Sequence, residues 1–215
     1  MRRTRARSRS VERRINTDLL CTNDVWVVPL LPDKNIPIVI RPREDNDLTL
    51  LKKYCKEHRL QLADLLIGSG AILFRGWNVQ TPQDFEDVIL LLEPNLSTAY
   101  LGTSPRRSVT KYTFTASELP RLFPIPQHLE VRAYILPFFT LQMSFLPVSR
   151  PKKLFFSCLK APQTGGETPI TDMTLVYRDM DPEVRARFEE KGVLYCRNYV
   201  GPGQRHFDPW KLKRY

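Results

Sequence analysis

The spacing of apolar residues changes partway along this chain, and that change constrains the fold more than any single motif does. Apolar residues recur at roughly helical spacing over residues 48–66, and residues 81–92 predict a second helix. From Ala99 onward the pattern predicts strands, at residues 108–115, 130–136, 154–159 and 193–199. Helices before and between such strands predict a β-rich α+β domain rather than a doubly wound α/β sheet.

Capping and turn residues refine this prediction. Residues 25–40 predict short strands that are broken by proline and suited to the edges of a sheet. Residues 71–76 predict a compact strand that ends in a turn. Asp47 predicts the N-cap of the first helix, and residues 181–191 predict a last helix that ends at Gly192.

Length and composition fit one globular domain. The chain has 215 residues, of which 42% are hydrophobic and 26% are charged, which is ordinary for such a domain. No stretch approaches the roughly 18 uninterrupted apolar residues of a transmembrane helix. We therefore expect a basic tail over residues 1–16, a single domain over residues 17–215 and no membrane span.

Much of the positive charge lies at the N-terminus. Seven Arg and one Glu within residues 1–14 supply six of the ten net positive charges. Such a run without apolar partners predicts a disordered, solvated tail. An Arg/Ser-rich mitochondrial transit peptide and an arm for RNA or a membrane surface stay open beside it. The rest of the chain carries little net charge, so we expect no nucleic-acid-binding face outside the tail. The cytoplasm is the default compartment.

Four cysteines lie far apart in the sequence, without a Cys-x-x-Cys pair. This spacing indicates neither a zinc ribbon nor a disulfide scaffold. Cys158 and Cys196 stand in apolar, strand-like runs, where we expect small buried hydrophobic side chains.

His128-Leu129-Glu130 is the candidate for metal chemistry. On a strand, side chains two positions apart point to the same face, with Cα atoms about 7 Å apart. Two His and one carboxylate with open coordination positions favour a non-haem Fe(II) oxygenase, and this chain shows two of those three ligands clearly. An isolated His-x-Glu can equally be a surface pair or a hydrogen-bonded pair.

The chain resembles the TauD/TfdA family of Fe(II)- and 2-oxoglutarate-dependent dioxygenases over roughly residues 66–200. Six short motifs occur in the order seen in that family, namely residues 70–77, 84–86, 102–106, 128–130, 165–172 and 197–199. The resemblance implies a double-stranded β-helix, or jelly roll. It also implies Fe(II) as cofactor, 2-oxoglutarate as co-substrate and oxidation of an unknown small molecule.

The resemblance further implies roles for individual residues. His128 and Glu130 would be two Fe(II) ligands, with Glu in place of the Asp of many relatives. Thr168 aligns with a Thr that contacts the co-substrate carboxylate, and a hydroxyl donor suits that role. In its immediate sequence, after two glycines, Thr168 could equally be an ordinary turn residue.

The family's second His ligand and the Arg that clamps 2-oxoglutarate have no clear counterpart, because they lie beyond residues 197–199 in relatives. We therefore expect a jelly roll that is incomplete at the C-terminus, as in a truncated enzyme. His206 is a candidate for the missing ligand, and His58 falls on the early helix. The alternative is a non-catalytic remnant that serves as an interaction or regulatory module. Residues 139–147 form an apolar run of unexplained origin, and substrate and oligomeric state stay open.

Overall fold

A computed structural model of the chain describes residues 17–96, 107–115, 152–159 and 169–196. The chain divides into two units, Met1–Asn78 and Val79–Tyr215. In the part of the chain that is described, no helix is both long enough and apolar enough to cross a membrane.

The first unit contains a mixed sheet of three strands. These are β1 (Val25–Leu31), β2 (Lys34–Pro42) and β3 (Ile72–Phe74), in the order β1-β2-β3. β1 pairs antiparallel with β2, whereas β3 pairs parallel with β2. The two segments predicted as strands in this part of the sequence, residues 25–40 and 71–76, are therefore confirmed.

β2 is the central strand of the sheet, and the burial of its residues agrees with that position. Residues 38–40 are consecutive and all buried, which is typical of a strand covered on both faces. β1 instead alternates, because Val25 and Val27 are buried and Trp26 between them is exposed.

Proline was predicted to place this segment at sheet edges, and this is right for one strand only. Pro29 lies in the edge strand β1, but Pro37 lies in the central strand β2. The hydrogen-bond ladder of β2 accommodates Pro37 for two reasons. The register between β1 and β2 shifts between Pro29 and Leu31, and the pairing of β2 with β3 begins only at Ile38. Proline has no backbone N–H to donate, so a sheet tolerates it where the hydrogen-bond ladder is irregular.

Residues 48–66 were predicted as a single helix, and the structure corrects this to two. α1 (Leu48–Glu57) ends at His58, and α2 (Arg59–Ser69) begins directly after it. Asp47 is the N-cap of α1, since its carboxylate accepts a hydrogen bond from the Thr49 amide at 2.9 Å. Gly70 ends α2 in the left-handed conformation, with φ of 78°.

The two helices connect the parallel strands β2 and β3, as a parallel pair requires. α2 packs against both strands and against α1. The helices bury side chains at helical spacing, namely Leu51, Tyr54, Cys55, Leu62 and Leu65. The Tyr54 hydroxyl donates to the Leu20 carbonyl oxygen at 2.8 Å, which ties the start of the described chain to α1.

The second unit contains α3 (Pro82–Leu92), α4 (Met173–Asp179) and α5 (Pro182–Lys191). α3 begins as predicted, with a reciprocal capping box between Thr81 and Asp84. α5 is also confirmed, with Asp181 as its N-cap. α4 was not predicted from the sequence.

Three predicted strands are wrong in the described residues. Residues 107–115 form only an isolated bridge between Ser108 and Phe114, and residues 154–159 and 193–196 are not strands. A period-two pattern makes a strand only where a partner ladder is available, and the hairpin at 107–115 bonds to itself instead. Cys158 and Cys196, expected to be buried, are exposed.

The remaining predicted strand residues, 130–136 and 197–199, lie outside the described residues, as do the basic tail at 1–16 and the apolar run at 139–147. The double-stranded β-helix and its incompleteness stay predictions.

Candidate functional site

The residues predicted for iron and 2-oxoglutarate lie outside the described part of the chain. This holds for His128 and Glu130, for Thr168 and for His206. Their roles therefore stay predictions. Among the residues that are described, no three His, Cys, Asp or Glu side chains are grouped so as to hold a metal ion.

His58 is described, and it lies at the junction of two helices. Its ring lies 4.7 Å from the Tyr54 ring, centroid to centroid. Its amide donates to the Tyr54 carbonyl oxygen at 3.0 Å, and its own carbonyl accepts from the Leu62 amide at 2.9 Å. These contacts give His58 a structural task at the end of α1, in keeping with its predicted position on the early helix.

Glu86, on α3, is the one buried charged residue in the described part of the chain. Its side chain is buried, with 5% of the residue exposed, although Glu is rarely buried without partners. One oxygen, Oε2, accepts hydrogen bonds from the Tyr112 amide at 2.8 Å, from the Thr113 hydroxyl at 3.1 Å and from the Thr110 hydroxyl. The carboxylate therefore binds one side of a turn at residues 110–113.

The turn belongs to a short hairpin over residues 107–115. The Val109 amide donates to the Thr113 carbonyl oxygen at 2.9 Å, and the Thr115 amide donates to the Arg107 carbonyl oxygen at 2.9 Å. The Thr113 amide also donates to the Thr110 hydroxyl at 3.2 Å. The hairpin thus closes through its own hydrogen bonds, and Glu86 joins it to α3.

These contacts keep Glu86 ionised. Burial raises the pKa of its carboxyl, whereas hydrogen bonds from Thr110, Tyr112 and Thr113 lower it, and the net pKa lies below the ordinary value. Hydrogen bonds to a carboxylate favour its charged form. At neutral pH the turn therefore holds an anion.

The burial of Glu86 is a property of the folded structure that the local sequence does not specify. Residues 84–86 were recognised as a motif, but Glu86 received no role. α3 buries Glu86, Val88 and Ile89, so a carboxylate stands on the apolar side of an amphipathic helix. A charge at such a position needs a hydrogen-bonding partner from elsewhere in the fold.

The end of the motif at residues 165–172 has a visible structural task. The Asp172 carboxylate accepts from the Thr174 amide at 2.8 Å and caps α4. The Tyr177 hydroxyl on α4 bonds to the Glu189 carboxylate on α5, and Arg185 lies 5.5 Å over the Tyr177 ring. These contacts join α4 to α5, while both helices keep all their side chains at least partly exposed.

Comparison with known proteins decides the family. The sequence profile of the family described as "Taurine catabolism dioxygenase TauD, TfdA family" matches residues 29–211. The chain belongs to the TauD/TfdA family. The resemblance inferred from the ordered motifs is thereby confirmed.

Two relatives in this family are well matched. A clavaminate synthase-like protein of Arabidopsis thaliana is 37% identical over 173 residues, which cover 76% of this chain and 48% of the plant protein. The dapdiamide synthesis protein DdaC of Enterobacter agglomerans is 30% identical over 138 residues, which cover 64% of this chain and 38% of the bacterial protein. The matched part of the chain spans less than half the length of either relative.

Members of the TauD/TfdA family are Fe(II)- and 2-oxoglutarate-dependent dioxygenases with a jelly-roll fold. The chain is therefore an oxidoreductase-like domain by family. The matched residues 29–211 include His128, Glu130, Thr168 and His206, as well as the contact between Glu86 and the hairpin.

Proposed function

We propose that this chain forms part of a Fe(II)- and 2-oxoglutarate-dependent dioxygenase that oxidises a small molecule. The observation that supports this most is the family match over residues 29–211, with His128 and Glu130 inside it. A small-molecule substrate is consistent with the family.

The proposed donor set suits the cofactor. An imidazole nitrogen from His128 and a carboxylate oxygen from Glu130 are both ligands that Fe(II) accepts. The Thr168 hydroxyl would donate a hydrogen bond to a carboxylate of 2-oxoglutarate. When bound, Fe(II) would activate O2, which is the oxidant, and 2-oxoglutarate would supply two electrons for its reduction as it is converted to succinate and CO2. The task of these three residues is to hold and orient the metal and the co-substrate.

His206 stays a candidate for the third ligand, and it lies within the matched residues. Two protein ligands hold a divalent ion less firmly than three, so the contribution of His206 to affinity is measurable. If His206→Ala binds iron as tightly as the unchanged chain, then the third ligand is not His206.

Anaerobic titration with Fe(II) in the presence of 2-oxoglutarate tests the proposal. We expect the unchanged chain to bind iron and His128→Ala to bind it at least about tenfold more weakly, which corresponds to about 1.4 kcal/mol. His58→Ala is the matched control, because His58 stands at a helix junction and should leave iron affinity unchanged.

Equal binding of iron by the unchanged chain and by His128→Ala would remove the metal assignment. Turnover is measured separately, as succinate formed from 2-oxoglutarate in the presence of Fe(II) and O2. Iron binding without succinate formation would favour the alternative function, a non-catalytic interaction or regulatory module.

A further inference from the structure

We propose that one face of the three-stranded sheet binds a phosphate monoester, a soluble small molecule that carries a dianionic phosphate group. This surface, the arginine face, consists of four exposed side chains, those of Trp26, Arg41, Arg43 and Arg75. All four belong to the first unit. The inference depends on neither iron nor 2-oxoglutarate, so it stands or fails separately from the proposed function.

The register of the sheet aligns one residue from each strand on the arginine face. Trp26 on β1 pairs with Arg41 on β2. Ile40 and Phe74 are partners in β2 and β3, and the next amide, that of Arg75, donates to the Ile40 carbonyl oxygen at 3.0 Å. Arg75 therefore lies beside Arg41. Because side by side residues of neighbouring strands point to the same face, both guanidinium groups lie on the side of the Trp26 ring.

Arg43 completes the arginine face and is held in a fixed position. Its amide donates to the Asp24 carbonyl oxygen at 2.9 Å, which continues the ladder beyond β2. Its guanidinium carbon lies 3.5 Å from the centroid of the Trp26 ring, and its Nε donates to the Thr22 carbonyl oxygen at 3.0 Å. The flat guanidinium group of arginine can stack on a ring and still offer its terminal N–H groups to a phosphate. A side chain that is already fixed loses less freedom on binding.

The charge of the arginine face is complementary to that of a phosphate monoester. Among the side chains in the described ranges, no carboxylate forms an ion pair with any of the three arginines. Asp24 supplies one negative charge beside Arg43, whereas the Asp45 carboxylate accepts from the Asp47 amide at the start of α1. Three arginines and one aspartate have a formal charge of +2. A phosphate monoester, with a charge of about −1.5 to −2 at neutral pH, neutralises it.

The dimensions of the arginine face favour a small molecule over a nucleic acid. Neighbouring strands lie about 4.8 Å apart, so a row across three strands is only about 10 Å wide. Such a row has room for one phosphate group rather than for a chain of them. The Arg43 guanidinium also covers one side of the Trp26 ring, so a base cannot stack there as it does on proteins that bind single strands.

Calorimetric titration of the whole chain with glycerol 3-phosphate, without iron and 2-oxoglutarate, tests the proposal. Arginine donates charged hydrogen bonds to phosphate, so we expect Arg41→Ala and Arg75→Ala each to weaken binding at least about fivefold. Arg59→Ala is the matched control, because the exposed Arg59 begins α2 and its loss changes the net charge equally. It should leave the affinity unchanged. Glycerol alone should not bind.

Two further variants separate a specific site from a general attraction of charges. Arg43→Lys keeps the positive charge but loses the flat guanidinium, so it should bind glycerol 3-phosphate at least about threefold more weakly than the unchanged chain. Titration should also change the tryptophan fluorescence, and Trp26→Phe should abolish this change. Affinities are compared under conditions in which each variant is folded by circular dichroism. Arg41 and Arg75 keep the test decisive even if Arg43→Lys lowers stability.

The proposal is overturned if Arg41→Ala and Arg75→Ala bind glycerol 3-phosphate as tightly as the unchanged chain does. It is also overturned if Arg59→Ala weakens binding to the same extent, because the attraction would then be that of the net charge. Tighter binding of a polyglutamate peptide or a uridine oligonucleotide, with the same dependence on Arg41, would assign the arginine face to a macromolecule instead and would refute the choice of ligand.

Discussion

Replacing Tyr54 with Phe removes one hydroxyl from a buried contact in the first unit. The Tyr54 hydroxyl donates to the Leu20 carbonyl oxygen at 2.8 Å, and the two residues are 3% and 2% exposed. In Tyr54→Phe the ring still fills its place, but the Leu20 carbonyl loses a partner in a region that water does not reach. An unsatisfied buried acceptor costs about 1–3 kcal/mol, and we expect a loss of roughly 1–2 kcal/mol of unfolding free energy.

Urea unfolding followed by tryptophan fluorescence measures this loss. Trp26 and Trp77 both lie in the unit that contains Tyr54, and the Trp77 indole donates to the Ile40 carbonyl oxygen at 3.1 Å, so its emission reports the sheet. With a urea dependence of roughly 1–2 kcal/mol per molar, the midpoint of Tyr54→Phe should fall by about 0.5–2 M. Tyr195→Phe is the matched control, because Tyr195 is exposed.

The burial of Tyr54 also makes the stability of the first unit depend on pH, and the sign of this dependence can be worked out. Burial, with smaller effects from Cys55 and Cys21, raises the pKa of Tyr54 above its ordinary value of 10.0. A group whose folded-state pKa is raised stabilises the fold fully below its unfolded-state pKa, and this stabilisation is lost as pH rises above that value. The unchanged chain should therefore lose stability above about pH 10 more steeply than Tyr54→Phe.

Equal urea midpoints for Tyr54→Phe and Tyr195→Phe would contradict this reasoning. They would mean that the Leu20 carbonyl finds another donor at no cost, or that the turn at residues 17–20 does not contribute to the stability of the unit.

Two further predictions concern local geometry and burial. Gly70→Ala should destabilise the first unit by about 1–2 kcal/mol, because Gly70 has a φ of 78° and an added Cβ would lie 3.4 Å from Ile36. Gly68→Ala, two residues earlier inside α2, should instead stabilise the unit by about 0.5–1 kcal/mol, because alanine favours a helix more than glycine does. Urea unfolding of both variants checks these opposite signs, and a shared sign would refute the backbone explanation. Cys55 is fully buried, and burial raises the pKa of its thiol to about 12, so it should stay unlabelled by iodoacetamide in the folded protein while the exposed Cys158 reacts. Mass spectrometry of labelled peptides checks this, and labelling of Cys55 at the rate of Cys158 would show that the core opens readily.

The features that the sequence predicted correctly are mostly local. Asp47 caps its helix as expected, the helices predicted at residues 81–92 and 181–191 are present, and Gly192 ends the last of them. Each of these depends on a hydrogen bond or a backbone angle within a few positions, so neighbouring residues suffice to predict it. The order of the short motifs also sufficed to recognise the family.

The features that the sequence did not predict depend on partners distant in the chain. Residues 108–115 alternate as a strand does, but they close on themselves and receive a carboxylate from α3. The burial of Glu86 follows from hydroxyl groups some 25 positions later, which no local pattern specifies.

The amino-acid sequence by itself determined the helix starts after Asp47, Thr81 and Asp181 and the family, because these follow from short-range hydrogen bonding and from motif order. Only the tertiary structure decided that Pro37 lies in a central strand and that Glu86 is an anion held inside a turn. Both outcomes depend on which groups replace water around a residue once distant segments pack together.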